Sequence, residues 1–195
     1  MFIQVIVLAI ILGLVFKGNL KNLSNLKFEG IYYLVAAFLL EAAVIISIRK
    51  GLLTLGTLTT LSDILMYTLL LIFIIKNMKD PLIVMVGIGF MLNAIPIFAN
   101  GGMMPVTINA VHAAGLTDKV GTMGLYHLVD SGTRFWFLGD IIPYTFINKN
   151  IISIGDLVLS LGIMFIIIRG MKREIKACPG KCTRVCRRTC VKNWD

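Results

Sequence analysis

The sequence predicts an all-α integral membrane protein of about five transmembrane helices plus a short re-entrant or interfacial segment. Three observations lead there. Of the 195 residues, 57% are hydrophobic and only 15% charged, against roughly half apolar and a quarter charged in ordinary globular domains. Mean hydropathy is +0.88, and the apolar residues gather into runs close to the roughly 20 residues that cross about 30 Å of hydrocarbon. Such spans use most of the chain, so no separate soluble catalytic domain fits.

Five stretches qualify, at residues 2–16, 30–48, 57–75, 82–99 and 151–168. The first lacks a basic n-region and a small-residue cleavage site, so it reads as a retained span and not as a signal peptide. At 1.5 Å per residue it reaches only about 22 Å, which implies local bilayer thinning or shielding by neighbours. Phe135 to Ile147 is shorter still and is interrupted by Gly139, Asp140 and Pro143. With Trp136 and Tyr144 suited to an interface, it reads as the re-entrant or interfacial segment. In the one long connection, residues 100–134, Thr107 is placed to start a short helix from Ile108 to Ala114, with Gly115 as its stop.

The net charge of +9 is unevenly distributed. Residues 169–195 hold nine of the 19 basic residues and two of the ten acids, so the rest of the chain is almost balanced. The chain thus divides into a polytopic body, 1–171, and a basic Cys-rich tail, 172–195. The tail suits anionic lipid headgroups, and no nucleic-acid partner is expected. One set of alternate connections carries Lys17, Lys21, Lys27, Lys76, Lys79 and the nine tail residues, and the other carries Arg49, Lys50, Lys119, Arg134 and Lys149. Fourteen against five predicts a cytoplasmic C-terminus and an external N-terminus.

Ionisable groups within spans are costly and commonly functional. Glu41 lies seven residues before Ile48, Asp63 six after Thr57 and Asp156 five after Ile151. At 1.5 Å per residue that is about 7 to 11 Å below the same face for all three. Asn93 falls at a similar depth, Asn100 follows two turns later, and Asp140 should approach the same side. These residues predict a polar cavity open toward the long connection, set against the plainer reading that each makes a single interhelical hydrogen bond. Gly101 and Gly102 permit positive φ and a tight turn at its mouth, where Asn100 and the glycine backbone would orient a ligand.

The tail cysteines Cys178, Cys182, Cys186 and Cys190 recur every four residues. On a straight helix the outer two would stand about 18 Å apart, too far to share one tetrahedral zinc. Pro179-Gly180 permits the bend that zinc or an iron–sulfur cluster would need; otherwise these are reduced thiols in a polybasic segment. No other cofactor is expected. His112 and His127 have no ligand-spaced partners, and no P-loop, dinucleotide fingerprint or HExxH motif occurs.

Several motifs in one order give the chain a family likeness: Leu92-Asn93-Ala94, Ala99-Asn100-Gly101-Gly102, Met104-Pro105-Val106, Ala114-Gly115-Leu116, Gly132-Thr133-Arg134, Leu138-Gly139-Asp140-Ile141-Ile142-Pro143 and Ser153-Ile154-Gly155-Asp156. Over about residues 1–171 it resembles the domain-of-unknown-function (DUF) 5317 family of bacterial membrane proteins, with Met103 standing where that family often has arginine. The resemblance implies residence in the bacterial inner membrane and names no activity. A much weaker likeness links the glycine-rich turn, Asp140 and Asp156 to the catalytic half of lipoprotein signal peptidases, which would make Asp140 and Asp156 a catalytic pair. The chain departs from that family in its longer loop, its extra span and the lack of Phe-Asn before the second aspartate.

Three functions follow as expectations. One is a carrier or channel whose acidic site, formed with Glu41 and Asp63, takes a small ligand, proton or cation. The others are a membrane hydrolase using paired aspartates and a non-catalytic anchor acting through its tail.

Overall fold

The structure, a computed structural model, describes residues 2–53, 56–116, 126–145 and 149–172. The tail beyond Lys172, with its four cysteines, and Lys119 lie outside the described residues.

The fold is mostly helical. Helix α1 (Phe2–Val15) is followed by a 3₁₀ turn at Leu20–Asn25, then α2 (Ile31–Arg49), α3 (Thr57–Lys76) and α4 (Pro81–Ala99). Strand β1 (Met104–Val106), helix α5 (Ile108–Ala114), β2 (Tyr126–Leu128), a 3₁₀ turn at Trp136–Leu138, β3 (Ile142–Tyr144) and β4 (Asn150–Ile152) lead to α6 (Ile154–Lys172). Among the described residues four helices, α2, α3, α4 and α6, are long and apolar enough to cross a membrane, whereas α1 has 14 residues. Large apolar side chains such as Val7, Phe38, Leu61, Met91, Leu161 and Phe165 face outward, a surface that suits lipid and not water.

The helix ends follow local chemistry. Asp80 caps α4 by accepting the Leu82 N–H (3.0 Å), and Pro81 sits at the first helical position, where its missing N–H costs nothing. At the other end Gly101 takes φ +71° and the Gly102 N–H reaches back to the Ile97 carbonyl (2.9 Å). That is the long bond of a Schellman ending, with glycine at the left-handed position. The expected short helix at Ile108–Ala114 forms, and Gly115 stops it with φ +64°. Thr107 occupies its cap position without a side-chain hydrogen bond.

Packing is dominated by α4 against α6, antiparallel and closed by glycine. A Cβ on Gly89 would stand 2.7 Å from the Leu159 nitrogen, and one on Gly162 would stand 2.7 Å from Val86 Cγ2. Small residues let helix backbones approach where no water drives them together. The start of α4 is tied to the end of α6 by the Arg169 guanidinium on both Asp80 carboxylate oxygens. Around this seam Phe73, Ile83, Val86, Leu159 and Ile166 form one buried cluster. Helix α1 leans on α6, where the Asn19 N–H and Asn22 Nδ2 both donate to the Met171 carbonyl (2.9 Å each).

The chain between α4 and α6 is not purely helical: β1 pairs in parallel with β2, and β3 pairs antiparallel with β4. The described part of the stretch expected as a re-entrant or interfacial segment holds a 3₁₀ turn and strand β3, with Gly139 and Pro143 interrupting any helix there. Three-residue strands are too short to leave a readable alternation. These pieces enclose a small apolar cluster of Val106, Ala110, Val111, Ala114, Leu116 and Ile151, which makes the connection a packed cap over one end of the helices.

Candidate functional site

Helix α6 begins one turn later than its apolar run suggests. β4 takes residues 150–152, so Ser153 becomes the N-cap residue and Asp156 the third residue of the helix. The Ser153 hydroxyl accepts the Asp156 N–H (2.9 Å), while Asp156 Oδ2 accepts the Ser153 N–H (3.2 Å). This is a reciprocal capping box, and the carboxylate also sits favourably at the positive end of the helix dipole. Asp156 is therefore at the mouth of its helix, shallower than the depth counted from Ile151.

Asn93 completes the arrangement from α4. Its Nδ2 donates to Asp156 Oδ1 (2.9 Å), and its Oδ1 accepts the Ser153 hydroxyl (2.7 Å). A Cβ on Gly155 would collide with Asn93 Oδ1, so the glycine is what admits the asparagine. Both amide atoms and both Asp156 oxygens are thus engaged, which binds α4 to α6 as well as shaping a site.

Asp140 reaches the same place from the cap. Its N–H donates to the Pro105 carbonyl (2.8 Å), and its own carbonyl accepts the Thr107 N–H (3.3 Å), so its backbone continues beside β1. The residue is only 5% exposed, and its carboxylate accepts no hydrogen bond from any described residue. Burial, and then the neighbouring Asp156 carboxylate, push its pKa up to about 8. At neutral pH it is chiefly a neutral acid, able to donate.

These groups surround a cavity of about 280 Å³ lined by Glu41, Asp63, Met66, Tyr67, Asn93, Ile97, Gly102, Met104, Tyr126, Asp140 and Asp156. Four carboxylates come from α2, α3, the cap and α6, and among the described residues no lysine, arginine or histidine lines the cavity. Gly102, at φ +85°, brings its backbone against the far wall: a Cβ there would stand 3.0 Å from Thr60 Oγ1 and 3.4 Å from Asp63 Oδ2. A concave pocket with a few convergent polar groups is where small ligands bind.

Of the residues singled out in the sequence, Glu41, Asp63, Asn93, Gly102, Asp140 and Asp156 line this cavity, whereas Asn100 and Gly101 do not. Asn100 is a clamp instead. Its Nδ2 donates to the Pro96 carbonyl (2.7 Å) and the Arg134 carbonyl (2.8 Å), and its Oδ1 accepts the Arg134 N–H (2.9 Å). It fastens the end of α4 to the cap, a role that needs a partner 34 residues away. Three contributors were not anticipated: Tyr67, Tyr126 and Ser153. Only the last had a local signal, since Ser153-x-x-Asp156 is a capping-box pattern. Among the described residues no three His, Cys, Asp or Glu side chains converge to hold a metal ion, and His127 lies 3.4 Å from Asp130.

Residues 25–168 match DUF5317, a family of unknown function. The matched segment contains every cavity-lining residue and ends before the cysteines. An uncharacterized protein of Thermotoga maritima (strain MSB8) is 27% identical over 173 residues, covering 86% of this chain and 90% of that protein. No solved structure matches the chain.

Proposed function

The chain belongs to the DUF5317 family, whose name carries no activity, and from its own site we propose that it binds a proton or small cation in the acidic cavity. The observation that carries this reading is the cavity wall, where the described residues supply four carboxylates and no basic side chain. Such a wall attracts positive charge and repels anions, and desolvated walls strengthen the attraction. Asp140 supplies an exchangeable proton, so cation entry and proton release are linked at one site.

In this reading the protein has five spans in the bacterial inner membrane. Helix α1 is a short fifth span shielded by α6, and the cavity opens to the external face. The fourteen-to-five division of basic residues supports that orientation. Lys17, Lys21, Lys27, Lys76 and Lys79 all belong to the end of the bundle opposite the cavity, and the tail continues from there toward anionic headgroups.

A second reading has one observation in its favour: Asp140 and Asp156 line one cavity and Asp140 is buried there, a setting in which a carboxyl pair of an aspartate hydrolase could form. The binding role is the better supported. Asp156 has each oxygen committed to an N–H donor, which suits a fixed counter-charge more than a base that must move a proton.

The test is proton release. Full-length protein in nanodiscs of uncharged lipid, held in weakly buffered solution at pH 7, should acidify the medium on addition of Na⁺, Mg²⁺ or 1,4-diaminobutane, whichever the site takes. Up to one proton per chain is expected, and none from Asp140→Asn. Absence of release with all three cations would reject the proposal.

A further inference from the structure

Resting on the cation-site reading, we infer that the ligand is a short alkyl chain with a positively charged nitrogen at each end. The four carboxylates reach the cavity from two sides, Glu41 on α2 and Asp63 on α3 from one, Asp140 in the cap and Asp156 on α6 from the other. Tyr67, on α3 with Asp63, lines the same cavity. A bare divalent metal ion needs about six oxygens at 2.0 to 2.6 Å, and no such convergence exists among the described residues.

The remaining wall is apolar. Met66, Ile97 and Met104 join the Tyr67 ring, a lining for methylene groups and not for hydrated ions. Methionine and tyrosine accommodate alkylammonium chains through polarisable sulfur and the ring face. At about 280 Å³ the space falls just below the range for drug-sized ligands, which fits a molecule of few heavy atoms.

Asp140 is the independent sign that something is meant to fill this space. It is a polar side chain more than nine-tenths buried, lines the cavity, and has no hydrogen-bond donor among the described residues. An ammonium group offers three donors. A monocation would meet the carboxylates on one side of the cavity and leave those on the other, half-buried, without a counter-charge. A dication neutralises both sides.

The experiment compares 1,4-diaminobutane with butylammonium, Mg²⁺ and uncharged 1,4-butanediol by calorimetry, using the full chain in uncharged-lipid nanodiscs at pH 8. The diamine should bind at least tenfold more tightly than butylammonium or Mg²⁺, and the diol should not bind. Combining Glu41→Gln with Asp63→Asn should bring the diamine to within about threefold of butylammonium. If that double variant loses its helical circular dichroism or aggregates, Glu41→Gln alone should weaken diamine binding at least threefold while leaving butylammonium within twofold. Equal affinities for diamine and monoamine in the unaltered protein, or tighter Mg²⁺ binding, would overturn the dication and leave a cation site standing. Binding of none of the cations would overturn both.

Discussion

The two halves of the helical bundle are built differently. In α4 and α6, 33% and 39% of the span residues are buried, against 11% and 17% in α2 and α3. The tight half is closed by Gly89, Gly155 and Gly162, and its polar residues Asn93, Ser153 and Asp156 bond to one another. In the loose half Glu41 and Asp63 accept no hydrogen bond from any described residue, yet they line the same cavity. The difference separates two uses of buried polarity. Satisfied groups fix a helix pair, while Glu41 and Asp63 stay open to the cavity, which lies where the halves meet.

The comparison breaks most directly at the seam. In Gly155→Val the Cβ alone would run into the Asn93 side-chain amide and stand 2.8 Å from the Gly89 carbonyl, so both the Asn93 hydrogen bonds and the α4–α6 approach are disturbed. Overpacking of this kind costs about 3 kcal/mol. On the loose side Gly56 has nothing within 4 Å of its would-be Cβ and an extended φ of 163°, so Gly56→Ala should change stability by less than about 0.5 kcal/mol. Chemical unfolding in one detergent, followed by circular dichroism, compares the two. Equal effects would erase the distinction between halves.

A smaller effect separates the polar groups themselves. Asn93→Ala removes a donor from Asp156 and an acceptor from Ser153, and should cost about 2 kcal/mol. Ser153→Ala acts on the same network, so the double variant should fall short of the sum by about 1 kcal/mol. Glu41→Gln, which breaks no bond, should stay within about 0.5 kcal/mol. If Glu41→Gln proves as damaging as Asn93→Ala, the α2 carboxylate has a structural role and the ligand argument loses its contrast.

How legible all this was depends on the range of each signal. Counting residues along apolar runs brings Glu41, Asp63, Asn93 and Asp156 to one end because helix rise is constant. That count placed Asp156 too deep, since Ile151 and Ile152 are as apolar as a helix start but pair with β3. The pairing depends on a partner strand that composition does not announce. Asn100 looked like a ligand residue because it follows Asn93 by two turns. Its true partners are the Arg134 backbone groups, and a contact across 34 residues leaves no local trace. Gly89 carries a local signal: glycine in a helix interior costs about 1 kcal/mol against alanine, so it asks for a close neighbour. Tyr67 carries no signal, because an aromatic in an apolar run is ordinarily packing or lipid contact, and Tyr126 lies in the long connection, where its strand of three residues leaves no pattern.

The finest test of the contrast is proton linkage at Asp140, the unsatisfied carboxylate nearest the tight half. With its pKa raised to about 8 in the folded protein and near 3.9 in an unfolded chain, the folded state binds the proton more tightly. The stabilisation this gives is complete below about pH 4, where both states are protonated. As pH rises the unfolded chain ionises first, and the advantage shrinks until the folded group ionises at about 8. Stability should therefore fall with a slope of at most about 1.4 kcal/mol per pH unit from this one group. The groups facing it are Asp156 and Tyr126. An ordinary tyrosine titrates near 10 and stays outside the window. Asp140→Asn keeps the shape and removes the titration, so the stability of the unaltered protein minus that of the variant should decline between pH 5 and pH 8. Unfolding curves at pH 5, 6.5 and 8 measure this difference. A difference that stays constant would mean that Asp140 ionises as an exposed carboxylate does, with no desolvated site around it. Saturating 1,4-diaminobutane should stabilise the protein more at pH 8 than at pH 5, because the ligand pairs with the ionised form that burial alone disfavours.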